Sequence, residues 1–146
     1  MKLKTKWIEK MKLEASDEKH AVLMDTGAPM GTDAALTPKQ LVVAGLMGCT
    51  GMDVVALMKK YKQPVESFEI EADVEKSTDA YPQVFTKALL TFRFQGQIDA
   101  EKAIESVVLS QTKYCGVSAM LAKAFPIHYR IEVNGKSVKE DGLAFS

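Results

Sequence analysis

Apolar positions recur along this chain with two different periods. Near the N-terminus Leu3, Thr5 and Trp7, then Met11 and Leu13, alternate in part with polar neighbours. Alternation at period two marks a half-buried strand, so Lys2 to Glu14 is expected as one strand. Ser16–Lys19 is polar and expected to turn. HAVLM, His20 to Met24, returns as a second strand and closes a hairpin. DTGAPMGTDAA, from Asp25 to Ala35, is rich in Gly, Pro and Asp and reads as a loop.

The period then lengthens. TPKQLVVAGLMGCTGMDVVALMKKY, Thr37 to Tyr61, has the start signals of a helix. Thr37 suits the N-cap, Pro38 the first helical position, and Gln40 completes a capping box. Lys59 and Lys60 suit the negative end of the helix dipole, and Pro64 prevents continuation. The helix is expected from Pro38 to Lys62. Gly45, Gly48 and Gly51 argue against perfect regularity, since each costs up to ~1 kcal/mol against Ala. Their spacing makes a smooth stripe that would admit the close approach of another backbone.

Val65 to Lys76 alternates again, with a phase change near Ser67 that predicts a bulge. STDAYPQ is a turn, and Val84 to Phe94 is the expected hairpin partner. Asp99 caps a helix with Ala103, Ile104, Val107 and Val108 on one face. Cys115 opens another short helix. Pro126 to Val133 reads as a strand, and NGKS as a turn before a ragged end. This order of strands and helices is an α+β pattern. Two apolar helices need cover on more than one side, and a chain of 146 residues has little left to supply it. A dimer would.

Composition narrows the function classes. Lys plus Arg number 19 and Asp plus Glu 19, so no net field draws the chain to nucleic acid or to an anionic membrane. The only arginines are Arg93 and Arg130. The basic N-terminus lacks the apolar run of a secretory signal, and the apolar part of the long helix reads as too short for a membrane span. A cytoplasmic location is expected, where two cysteines do not form a structural disulfide by default.

Those cysteines are the candidate chemistry. Cys115 at a helix start lies near backbone N–H groups that favour a thiolate, with Tyr114 beside it as a possible donor. A small apolar turn residue is an equal reading. Cys49 sits in a stretch without charge from Leu41 to Met52, and Asp53 follows one turn later on the same face. Both features disfavour a thiolate there, so the residue alone reads more readily as packing than as a nucleophile. His20 and His128 read as surface or half-buried strand residues. No metal-type spacing joins them to the cysteines. TGAPMG lacks the order of a phosphate loop.

The motif order resembles the OsmC/Ohr family, the osmotically inducible and organic hydroperoxide resistance proteins. TPKQLVVAGLMGCTGMDVV followed far downstream by LSQTKYCGVSAML carries the resemblance, which covers about Gly31 to Val133. It implies a single OsmC-like domain over residues 1–146. It also implies two central helices wrapped by antiparallel sheets in an intertwined homodimer. Cys49 would be the peroxidatic and Cys115 the resolving cysteine of a stress-response peroxidase that reduces organic hydroperoxides. An external dithiol would regenerate the pair, and no cofactor or metal is implied. Hydroperoxide-reducing members use an arginine from the first hairpin and a glutamate after the helix-opening proline. Here no arginine precedes Cys49, and Lys39 and Gln40 follow Pro38. Lys19, in the hairpin turn, and Lys39 are the candidate replacements for charge. Other readings remain open: a non-catalytic dimer that binds a hydrophobic small molecule, a slow redox sensor, or a cysteine hydrolase.

Overall fold

The computed structural model describes residues 1–79 and 81–146. It groups them into two compact units, Met1–Ala44 and Gly45–Ser146. Ala80, inside the turn expected between two strands, lies outside the described residues.

The first unit holds a three-stranded antiparallel sheet of β1 (Lys4–Glu9), β2 (Lys12–Ser16) and β3 (Ala21–Met24), in that spatial order. The single strand expected over Lys2–Glu14 is therefore two. The chain reverses at Lys10, whose φ is +45°, and the Trp7 indole N–H donates to the Lys10 carbonyl at 2.8 Å. A turn without Gly or Asn-Gly leaves no mark in the pattern, which is why it passed for continuous strand.

The loop expected at Asp25–Ala35 is organised around one carboxylate. Asp25 accepts from the Thr32 hydroxyl (2.6 Å) and from the backbone N–H groups of Thr26, Thr32 and Ala34. These donors hold its pKa well below the usual carboxylate range, the Thr32 hydroxyl foremost. A Cβ at Gly31 would collide with the Thr26 carbonyl, so the loop needs glycine there.

Helix α1 (Pro38–Lys60) starts in the first unit and ends in the second. The capping box is formed: the Gln40 N–H donates to the Thr37 hydroxyl, and the Gln40 side chain accepts from the Thr37 backbone N–H at 2.8 Å. The glycines do not interrupt the helix. No close backbone approach explains them within this chain: among the described residues a Cβ on Gly48 meets nothing within 4 Å, and one on Gly51 meets the Ile70 side chain at 3.4 Å. By length and hydropathy α1 could cross a membrane, contrary to the sequence expectation. Its residues Leu46, Thr50, Val54 and Met58 are instead buried in a protein core.

That core belongs to the second unit. β4 (Val65–Lys76) and β5 (Phe85–Gly96) pair antiparallel, with the anticipated bulge between Val65 and Ser67. β5 pairs with β6 (Ile127–Val133) in parallel, so the sheet order is β4-β5-β6-β7 and the sheet is not wholly antiparallel. The cause is the crossover through α2 (Ala100–Leu109) and α3 (Gly116–Leu121), which returns the chain in the same direction. Asp99 caps α2, accepting from the Glu101 N–H at 2.9 Å. The expected ragged end is a strand, β7 (Lys136–Leu143), joined to β6 by an Asn134-Gly135 turn with both φ positive. The turn at NGKS is as expected, and the polar sequence after it hid the strand; the Asn-Gly pair is a hairpin signal. Alternate residues of β5 (Leu90, Phe92, Phe94) and β6 (Ile127, Tyr129, Ile131) face Leu46, Val54, Met58, Ala103 and Val107. Each large apolar side chain so buried contributes about 1.5–3 kcal/mol.

Candidate redox site

The two free thiols meet in this second unit. Cys49, half-buried in the middle of α1, lies near Cys115. Cys115 is fully buried and is the N-cap of α3, its sulfur accepting from the Ser118 N–H at 3.3 Å. Between α2 and α3 the chain makes a π-helical turn, Ser110–Tyr114. Such turns interrupt the α-helical register and recur at functional sites. The backbone N–H of Cys115 closes it by donating to the Ser110 carbonyl at 2.9 Å.

Burial pushes the Cys115 thiol up, against the expectation that a helix start would lower it. Ser118 opposes that shift through its side chain and its backbone, while Cys49 adds to it. Loss of water around a sulfur at zero exposure outweighs two donors from a helix of six residues. The neutral thiol is thus the resting form of Cys115.

A polar chain that the sequence reading missed runs beside the thiols. The Ser110 hydroxyl donates to Asp53 at 2.9 Å and lies 2.7 Å from the Thr50 hydroxyl. The Gln111 amide donates to Thr50, and the Ser118 hydroxyl donates to the Gln111 carbonyl at 3.3 Å. Thr50, Ser110, Gln111 and Ser118 are all fully buried. A hint was available, since a threonine inside the apolar run of α1 has to find a partner.

The remaining candidates fall elsewhere. Tyr114 is exposed, with the Lys113 ammonium 5.5 Å from its ring centre. Lys19, Lys39 and Gln40 belong to the first unit. Gln40 is committed to the helix cap, and the Lys19 N–H donates to Asp17 in the turn before β3. Neither arginine lies on the thiol side of the sheet. Arg93 alternates with the core residues of β5 and binds Glu69, Glu71 and Glu132 at 2.8–3.1 Å; Arg130 donates to Thr91. Among the described residues no three His, Cys, Asp or Glu side chains gather as metal ligands. A cavity of about 360 Å³ opens between the end of α1 and the β4–β5 hairpin, walled by Val54, Val55, Met58, Phe68 and Phe94. Neither cysteine lines it.

The second unit is thus an α+β fold with a central-helix thiol near a helix-cap thiol. A family profile described as "OsmC-like protein" matches residues 31–130, and the chain belongs to that family. Protein YhfA of Escherichia coli K12 is 34% identical over 135 residues, covering 91% of this chain and 98% of that protein. Solved structures share the fold. An OsmC-like protein from Mycoplasma pneumoniae superposes with a TM-score of 0.78 at 12% identity, covering 90% of this chain and 95% of that one. The organic hydroperoxide resistance protein OhrB of Bacillus subtilis gives 0.62 at 19% identity, covering 92% and 98%.

Proposed function

We propose that this protein is a cytoplasmic, thiol-dependent peroxidase that reduces organic hydroperoxides through Cys49 and Cys115. One observation carries the reading: two cysteines far apart in sequence lie near each other, one half-buried and one dry. The half-buried thiol is the one a substrate can reach. Its thiolate attacks the peroxide, forming an S–O bond as the O–O bond breaks. The alkoxide takes a proton and leaves as an alcohol, and Cys49 becomes a sulfenic acid. The Cys115 sulfur then attacks Cys49, an S–S bond forms, and the departing hydroxide takes the Cys115 proton as water. An external dithiol restores both thiols by exchange.

Activation of Cys49 differs from the arginine-assisted scheme implied by the family resemblance. Both arginines are engaged on the far side of the sheet, and the nearby Cys115 S–H is a donor that can serve a Cys49 thiolate within the second unit. An S–H is a weak donor. Turnover is accordingly slower than with a guanidinium partner.

The homodimer rests on α1. Gly48, Met52 and Val55 form an open apolar face, with Met52 77% exposed. A second copy of the chain covers it and supplies the close approach that the glycines permit.

Rapid mixing of reduced protein with an alkyl hydroperoxide, read by intact mass, tests the chemistry. The expected result is loss of both thiols into one intramolecular bridge. Cys49→Ser abolishes peroxide consumption, and Cys115→Ser stops at the sulfenic acid or over-oxidises. Peroxide consumption by Cys49→Ser at the wild-type rate refutes the reading. The apolar cavity favours a second reading, a non-catalytic binder of a hydrophobic small molecule, which that refutation would leave standing.

A further inference from the structure

Thr50 stands next to Cys49 on α1, yet its side chain is bonded to the segment of the other thiol. A hydroxyl inside a helix commonly returns to a carbonyl of the preceding turn. The Thr50 hydroxyl, fully buried, instead lies 2.7 Å from the Ser110 hydroxyl and accepts from the Gln111 amide. Ser110 gives its one hydrogen to Asp53, so Thr50 donates to Ser110. Both the donor and the acceptor of a single hydroxyl are thus engaged by the turn Ser110–Tyr114, which leads directly into Cys115.

From that turn the bonds continue to Cys115. The Ser110 carbonyl accepts from the Cys115 N–H at 2.9 Å. The Gln111 side-chain carbonyl accepts from the Ser118 hydroxyl at 3.3 Å, and the Ser118 N–H donates to the Cys115 sulfur at 3.3 Å. Cys115 is therefore held from before and from after by residues that converge on Thr50. The π-helical turn permits the convergence: consecutive residues of an α-helix point about 100° apart, whereas here Ser110 and Gln111 both reach one hydroxyl. The turn has a second anchor, since the Phe145 N–H donates to the Gln111 backbone carbonyl at 3.0 Å. Loss of the Thr50 hydroxyl thus misaligns the turn against α1 without releasing it.

Alignment matters because disulfide closure is steep in geometry. The two sulfurs must come to about 2.05 Å with their Cα atoms roughly 4.4–6.8 Å apart. A misplacement of about 1 Å costs on the order of a hundredfold in a reaction that depends on position. We propose that Thr50 is a positioning residue for the thiol pair: by bonding Ser110 and Gln111 it sets the Cys115 turn against α1 in the register that lets Cys115 close a disulfide with Cys49. The inference rests on the proposed pairing of the two cysteines and takes nothing else from the peroxide chemistry.

The test is equilibration of the reduced protein with oxidised and reduced glutathione, acid-quenched and read by intact mass. One disulfide bond breaks in glutathione and one forms between Cys49 and Cys115; two electrons leave the protein dithiol, and its two protons end on two glutathione thiols. The ratio at half-oxidation gives the effective concentration of one thiol at the other. Thr50→Val, which keeps the shape and removes the hydroxyl, is expected to lower it at least about tenfold, with the mixed disulfide to glutathione accumulating in place of the bridge. Thr50→Ser, which keeps the hydroxyl, is expected to retain the wild-type value. A Thr50→Val protein at the wild-type value overturns the proposal, as does a Thr50→Ser protein that falls equally, or a wild type that forms no bridge. Should Thr50→Val not fold, Ser110→Ala, which removes the other hydroxyl of the pair, carries the same decision. A wild type that bridges in glutathione yet leaves an alkyl hydroperoxide unconsumed sinks the peroxidase reading alone.

Discussion

Single residues do different work in the two units. In the first, Asp25 organises a loop by accepting from three backbone N–H groups and one hydroxyl. Its acidity is strengthened in the folded protein, so the bonds contribute fully above the ordinary carboxylate pKa of about 4 and are lost as pH falls through the lower folded value. Amide hydrogen exchange at Thr26, Thr32 and Ala34 is expected to stay protected at neutral pH and to accelerate in strong acid, after correction for intrinsic exchange. Asp25→Asn should show the fast exchange at neutral pH, because a neutral amide oxygen is a weaker acceptor for those N–H groups. Unchanged protection would remove Asp25 as the organising group. In the second unit Cys115 shows that local sequence is a poor guide to a thiol. Its helix-start position argued for a thiolate; full burial decided for the thiol.

Elements were legible in proportion to their local signals. Helix α1 announced itself through Thr37, Pro38 and Gln40, and its cap is formed as those residues imply. Thr37→Ala is expected to destabilise the first turn by about 1 kcal/mol, seen as faster exchange of its N–H groups with the second unit unaffected. A global fall in stability of several kcal/mol would contradict that local role. The β4–β5 hairpin was readable, bulge included, since alternation changes phase where the register shifts. The turn at Lys10 and strand β7 were not. The first lacks turn residues, and the second is a polar edge strand whose pairing to β6 creates the alternation its own residues lack. The π-helical turn had no signal at all, because its cause is tertiary: Ser110 and Gln111 are drawn to partners on α1.

The whole molecule raises the matter of what covers α1. Its open face of Gly48, Met52 and Val55 is apolar and unprotected within the chain. Sedimentation velocity is expected to report a dimer for the wild type and a monomer for Met52→Glu, since burying an unpaired carboxylate at such a contact costs several kcal/mol. A monomeric wild type would remove the dimer and the role assigned to the glycine stripe. A membrane is a weaker candidate for that face, because the opposite side of the same helix is buried in protein.

The sequence by itself determined the α+β class, the capped helix, the β4–β5 hairpin and the family, because each depends on residues close together or on a motif order. It also marked Cys49 and Cys115 as candidates. Only the tertiary structure decided that they lie near each other, that both arginines are engaged elsewhere, and that buried hydroxyls and one amide hydrogen-bond beside them toward Asp53. Those facts depend on contacts between residues distant in sequence. No local propensity encodes which side chains a crossover brings together, nor how far water is excluded from them.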